Sequence, residues 1–218
     1  RFRNVTGVQT CALPIWEPRV SRTLDYFMAP TSPWTYLGHQ RLVDLCVRHQ
    51  ITIRMMPFDL GKVFKQSGGL PLPQRAPQRQ AYRLVELARW RDVTAIPMNV
   101  QPRYFPVSGD EACLILIGAQ RHHGIGPALD LAGRILRAVW AEERNIADPQ
   151  VMATLISEAG LDASAIAAER EHALATYDAY TQEASRQQVF GAPWYVWQGE
   201  PFWGQDRLDL LERALGRR

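Results

Sequence analysis

The sequence predicts an α/β fold in which a strand–helix–strand unit and a closing hairpin–helix unit are separated along the chain by an all-helical insertion. Two observations carry this. Short apolar runs at 24–28, 51–57, 194–197 and 201–203 have the length and the aromatic and β-branched content of strands. Between 78 and 189 the apolar residues recur instead at helical spacing, interrupted by prolines. With 218 residues, 46% hydrophobic and 22% charged, the chain can bury a sizeable core as one domain carrying a large insertion.

The elements follow in order. Residues 24–28 read as a buried strand, Pro33 opens a helix that runs to about His49, and 51–57 reads as the second strand. Strands joined through a helix in this way are expected to be parallel and right-handed. Residues 61–77 hold Ser67-Gly68-Gly69, Pro71, Pro73 and Pro77, and read as a long irregular loop. Helices are expected at 78–91, 109–122, 127–142, 149–159 and 162–189. The runs at 194–197 and 201–203 flank Gln198-Gly199-Glu200 like a β-hairpin, and 205–213 closes the chain as an amphipathic helix. The expected organisation is therefore 23–60 with 186–218 as one domain and 61–185 as the helical insertion. Residues 1–22 are set aside as a disordered or artefactual extension. They make a poor signal peptide, and Val5-Thr6-Gly7-Val8-Gln9-Thr10-Cys11-Ala12-Leu13-Pro14-Ile15 resembles translated sequencing-adaptor sequence.

Composition narrows the function. The formal net charge is +3 and the basic residues are interspersed with acidic ones, which argues against nucleic acid as a partner. No apolar run approaches the roughly 18 residues of a membrane span. Cys11, Cys46 and Cys113 form no Cys-x-x-Cys pair and no metal-ligand spacing, as expected of free thiols in a reducing, cytoplasmic setting. Cys46 and Cys113 sit in helical apolar patterns and are expected in the core. The histidines at 39, 49, 122, 123 and 172 have no partner at metal spacing, so no metal site is expected.

The order strand–helix–strand, helices, hairpin–helix is that of a thioredoxin-like fold. Ser32-Pro33-Trp34-Thr35 stands where such a fold carries its Cys-x-x-Cys pair, with serine in place of the nucleophilic cysteine, and Gly191-Ala192-Pro193 stands before the hairpin. Ser32 is a natural N-cap for the helix that Pro33 opens. The same hydroxyl, at the positive end of a helix, could favour the thiolate of a bound thiol. An Ala192-Pro193 bond in the cis form would present backbone for an extended peptide to pair with, although proline is also an ordinary strand-entry residue. In the run Gly204-Gln205-Asp206-Arg207, free backbone amides with Asp206 could bind the α-amino and α-carboxylate groups of a γ-glutamyl group, and Asp206 could equally cap the last helix. Arg75 and Arg79, with Lys62, could pair with a substrate carboxylate. Trp34 and Trp90 could wall an aromatic pocket or simply pack in the core.

Taken together, Ser32-Pro33 with Tyr36-Leu37, Arg89-Trp90, Ala138-Val139-Trp140, Val189-Phe190-Gly191-Ala192-Pro193 and Phe202-Trp203-Gly204-Gln205-Asp206-Arg207-Leu208 resemble the 2-hydroxychromene-2-carboxylate isomerase family. That family stands with the DsbA-like and kappa-class glutathione transferase group. The resemblance implies glutathione as cofactor, Ser32 at its sulfur, Ala192 and Pro193 at its backbone, and Gln205 and Asp206 at its γ-glutamyl end. It further implies a small aromatic carboxylate substrate and a homodimer. Ala29, Trp194 and Gln205 depart from the family, which often has an acidic residue, a smaller residue and an asparagine there.

The implied reaction is cis–trans isomerisation through reversible addition of glutathione thiolate to an unsaturated carboxylate. Conjugation or peroxide reduction of the kappa-class kind is the alternative, and a non-catalytic thioredoxin-like binding module is a third. Thiol–disulfide exchange is disfavoured, because neither Ser32 nor Thr35 can form a mixed disulfide.

Overall fold

The computed structural model describes residues 22–216, so Cys11 and the extension expected at 1–22, apart from Arg22, lie outside the described residues. Strand β1 (Thr23–Met28) runs parallel to β2 (Thr52–Pro57), with Thr23 opposite Thr52 and Met28 opposite Pro57. Helix α1 (Pro33–His49) connects them. Ser32 caps its start, Arg48 and His49 stand in its last turn, where both reach Glu212, and Gln50 ends it in the left-handed region at φ 54°.

Strands β3 (Trp194–Trp197) and β4 (Glu200–Trp203) form the hairpin, and β3 pairs antiparallel with β1 through Phe27 and Trp194. The sheet order is β2-β1-β3-β4, the thioredoxin-like arrangement expected. Gln198 (φ 51°) and Gly199 (φ 85°) make the hairpin turn. Two successive positive φ values give such a turn the twist that matches its strands.

Between β2 and β3 the chain is helical: α2 (Leu60–Ser67), α3 (Pro77–Thr94), α4 (Asp110–His123), α5 (Ile125–Trp140), α6 (Pro149–Glu158), α7 (Ala163–Ala168) and α8 (Arg170–Arg186). Three expectations need correction. The stretch read as an irregular loop from Gly61 begins with α2. Asp59 caps that helix by accepting from the Lys62 N–H at 2.9 Å, and Gly68, at φ 76°, stops it. A short 3₁₀ turn, Leu72–Gln74, follows. The single helix expected over 162–189 is broken at Glu169 into α7 and α8. There Gly118 of α4 packs so tightly that an added Cβ would sit 2.9 Å from the Ile166 carbonyl oxygen. The close fit fixes α7 against α4 and sets where the chain turns. The closing helix also begins later than expected, as a 3₁₀ turn at Gln205–Arg207 followed by α9 (Leu208–Leu215).

The pleat of β1 divides the core. Leu24, Tyr26 and Met28 face one way, into a cluster with Leu37 and Leu42 of α1 and Leu131, Ile135 and Trp140 of α5. Phe27 and Ala29 face the other way, with Met56, Phe58, Val63, Val189 and Trp194. Alternation along a strand buried on both sides produces this division. Cys46 and Cys113 are buried and unpaired. Among the described residues no helix is long and apolar enough to cross a membrane.

Candidate functional site

The fold brings the start of α1 and the end of the 189–193 loop together. At the helix start, Pro33 has no N–H, the Thr35 N–H donates to Ser32 Oγ at 3.2 Å, and the Tyr36 N–H donates to the Ser32 carbonyl at 3.0 Å. Among the described residues this leaves the Trp34 N–H as the unspent amide of the first turn. That turn holds no acidic residue, so no carboxylate of the helix itself offsets its positive end. Ser32 itself is only 7% exposed.

Ala192-Pro193 is a cis peptide bond. The Ser32 hydroxyl donates to the Ala192 carbonyl at 3.0 Å, which joins the two sequence motifs directly. The hydroxyl must turn from that carbonyl before it can donate to anything else. Gly191 lies under the Trp203 indole, where an added Cβ would sit 2.5 Å from Nε1. Phe190 packs edge-on against both Trp194 and Trp203, with ring centroids at 4.9 and 4.6 Å. A cleft of about 320 Å³ opens between Val63, Gln66 and Ser67 of α2 and the loop residues Gln188, Val189 and Phe190. Its floor, Val63 and Val189, belongs to the same apolar cluster as Ala29 and Ala192.

The Gly204 N–H donates to the Pro193 carbonyl at 3.0 Å and places the Gln205–Arg207 turn beside the cis-proline. Gln205 and Asp206 part company there. Gln205 is 1% exposed, and its Oε1 accepts from Arg41 Nη1 at 2.6 Å. It faces α1 at Gly38, where an added Cβ would lie 2.8 Å from Gln205 Cβ. Its side-chain carbonyl is spent on structure. Asp206 is exposed, with Arg207 Nη1 3.4 Å from its carboxylate.

The residues expected at the substrate side are spread over α1, α3 and the turn that precedes α3. Trp34 and Trp90 are half-buried and pack against the main core. Arg75 donates from Nε to the Leu70 carbonyl at 2.8 Å and lies over the Phe64 ring, whereas Arg79 is exposed. Lys62 is already engaged, with Asp178 at 3.1 Å and Asp59 at 3.8 Å. Its charge is therefore answered within the protein. Among the described residues, no group of three or more His, Cys, Asp or Glu side chains is placed to hold a metal ion.

Sequence reasoning missed three participants. Arg41 fixes the Gln205 turn. The connection from α3 to α4 forms an arm beside the site: the Tyr36 hydroxyl donates to the Pro97 carbonyl at 2.6 Å, and the Asn99 N–H donates to the Trp140 carbonyl at 2.6 Å. At its far end, Gly109 lies against Pro30 and Thr31, next to Ser32. The third is Arg83, whose guanidinium lies over the Phe105 ring of the arm and over Trp140. Proline density around 97–106 was the available signal for the arm, while the arginine contacts are long-range and leave no trace in spacing.

Residues 23–216 match the DSBA-like thioredoxin domain. A 2-hydroxychromene-2-carboxylate isomerase from Pseudomonas putida is 32% identical over 203 residues, covering 89% of this chain and 94% of its own length. The chain belongs to the 2-hydroxychromene-2-carboxylate isomerase family of DSBA-like thioredoxin-domain proteins. It is thus a member of an enzyme family. A solved structure of a 2-hydroxychromene-2-carboxylate isomerase superposes with a TM-score of 0.75 at 28% identity, covering 89% of this chain and 95% of its own. Glutathione S-transferase kappa 1 of Homo sapiens is 26% identical over 212 residues, covering 90% of this chain and 92% of its own length.

Proposed function

We propose that the protein is a glutathione-dependent cis–trans isomerase of an aromatic or unsaturated carboxylate resembling 2-hydroxychromene-2-carboxylate. The observation that carries this reading is the Ser32–Ala192 contact at 3.0 Å, which sets a hydroxyl, the positive end of a helix and a cis-proline backbone around one point. The donor set fits a thiol peptide: hydrogen-bond donors and positive potential where a thiolate would lie, and the exposed Asp206 carboxylate for an ammonium group. Bound glutathione would supply a thiolate that adds reversibly to a conjugated carbon, so that the former double bond can rotate before the thiolate leaves.

The chain's own residues have defined parts in this. Ser32, turned from the Ala192 carbonyl, donates to the sulfur, while the Trp34 N–H and the end of α1 favour the anion over the thiol. Ala192 and Pro193 offer backbone to the peptide, and Asp206 takes its α-ammonium group. Gln205 acts by holding the turn through Arg41 rather than by touching the ligand. Trp34 and Trp90 wall the substrate side, and Arg75 and Arg79 supply positive charge there. Holding thiolate and substrate in one orientation makes the addition effectively unimolecular. The buried, unpaired Cys46 and Cys113 support a reducing, cytoplasmic setting.

The test is to titrate glutathione into the wild type and Ser32→Ala at neutral pH while following thiolate absorbance, then to add 2-hydroxychromene-2-carboxylate and follow its spectrum and the free-thiol count. Ser32-dependent thiolate formation and isomerisation at constant free thiol are expected. Absence of glutathione binding sinks the reading. The similarity to the human kappa enzyme favours a second reading, transfer or peroxide reduction, in which free thiol is consumed in proportion to product.

A further inference from the structure

Arg83 is a cation without an answering anion. Its side chain is half-buried, it has no carboxylate within ion-pair distance among the described residues, and its Nη2 is buried with no hydrogen-bond partner. It is held instead by ring faces, with the guanidinium carbon 5.2 Å from the Phe105 centroid and 5.7 Å from that of Trp140. Such stacking orients a guanidinium while leaving its in-plane N–H donors free.

Arg83 does not stand alone. Arg79 lies one turn earlier on α3, and Arg75 precedes that helix. Arg75 feels the charge of Arg79, Arg83 feels that of Arg75, and burial with this repulsion lowers the Arg83 guanidinium to about 10. It is still charged at neutral pH. Arg75 is thus the link between two like neighbours, and with no carboxylate within ion-pair distance of the three among the described residues, the place favours an anion. Elsewhere on the described surface the arginines are commonly paired, as Arg54 is with Asp25 at 2.6 Å and Arg121 with Glu169 at 2.8 Å.

The place of this group matters as much as its charge. Phe105 belongs to the arm whose start is bonded to Tyr36, one turn into α1, and whose end abuts Pro30 and Thr31. Arg83 therefore sits beneath a segment that meets α1 on either side of Ser32. Phe105 is half-buried and tilted at 47° to Trp140, with centroids 4.7 Å apart. It offers a flat apolar surface beside an unspent guanidinium.

We propose that Arg83, with Arg75 and Arg79 at its rim, is the anchor for the carboxylate of a planar unsaturated substrate whose body lies along Phe105. This rests on the functional reading above and deepens it: Arg83 would set specificity for carboxylates over neutral analogues, and the thiol end would be independent of it.

Calorimetric titration of cinnamate and of its neutral isostere cinnamamide into the wild type, Arg83→Met and Arg83→Lys tests this, with glutathione thiolate absorbance measured on each protein. The wild type is expected to prefer the acid by about tenfold or more, as a charge-assisted hydrogen bond implies. Arg83→Met loses the preference while its thiolate signal is unchanged. Arg83→Lys keeps the charge and loses several-fold of the preference, because an ammonium cannot grip a carboxylate through two parallel bonds. This second variant carries the test if Arg83→Met does not fold. A wild type that does not distinguish acid from amide, or an undiminished preference in either folded variant, overturns the proposal. An Arg83-dependent preference in a protein that shows no glutathione response upholds the anchor and sinks the isomerase reading instead.

Discussion

The Ser32 hydroxyl and the Ala192 carbonyl, 160 positions apart in the chain, are 3.0 Å apart in space. The hydroxyl proton that the proposed chemistry needs is therefore held on the protein until a stronger acceptor arrives. A thiolate is such an acceptor; a neutral thiol is a much weaker one. The contact thus favours the ionised ligand by making the neutral one compete with a backbone carbonyl.

Ser32→Cys isolates the electrostatics of this place from any ligand. The introduced thiol would cap the same helix end, with no acidic residue in the first turn. Its pKa is expected below the value of about 8.5 of an unperturbed cysteine. Alkylation by iodoacetamide followed against pH measures it, and a midpoint at or above the ordinary value would show that the helix end does not stabilise a thiolate.

Gly38→Ala probes the seat of the Gln205 turn. The new Cβ would lie 2.8 Å from Gln205 Cβ and 3.0 Å from the Tyr195 hydroxyl. Overpacking of this kind costs roughly 1–3 kcal/mol. Urea unfolding should show a loss in that range with an unchanged m-value, and glutathione binding should weaken as the turn moves. Stability equal to wild type would mean that the turn yields freely.

His39 makes stability depend on pH. It is 3% exposed, donates from Nε2 to the Leu129 carbonyl at 2.9 Å, and accepts at Nδ1 from the Tyr26 hydroxyl at 3.2 Å. Both bonds suit the neutral ring, and burial lowers its pKa below the ordinary imidazole value. In the unfolded chain the ring titrates near 6.5. Its contribution is accordingly complete above about pH 6.5 and declines as pH falls, because the unfolded state then binds the extra proton. Urea midpoints from pH 5 to 8 should fall toward acid more steeply in the wild type than in His39→Gln, and parallel profiles would contradict this.

The two described cysteines should be inert in the native state. Burial pushes the Cys46 thiol up to about 12 and raises Cys113 as well. A thiol-reactive disulfide reagent at neutral pH should label neither until denaturant is added. Fast labelling of either in the native protein would show local opening around α1 or α4.

Much of the frame was legible because it is written locally. The apolar runs gave β1 and β3, Pro33 after Ser32 gave the start of α1, and Gln198-Gly199 gave the turn of the hairpin. Helix α2 was hidden by the glycines and prolines that follow it, although Asp59 and Gly68 mark its ends. The break at Glu169 has no local mark, since it is set by the approach of Gly118 to the Ile166 carbonyl across two helices. The candidate site divides the same way. Ser32 and Ala192-Pro193 could be read from their neighbours, whereas Arg41 on Gln205 and Arg83 on Phe105 exist only once distant elements are packed together.

The arm from α3 to α4 is fastened through its own main chain. Tyr36 holds the Pro97 carbonyl, the Trp140 carbonyl takes the Asn99 N–H, and Glu143 accepts from the Arg103 N–H at 3.2 Å. None of these contacts uses a side chain of the arm itself. Met98 and Phe105 pack on the core, so it is the exposed positions of the arm that can be exchanged while its path persists, and descent can retune which molecule is accepted without disturbing the machinery that ionises sulfur.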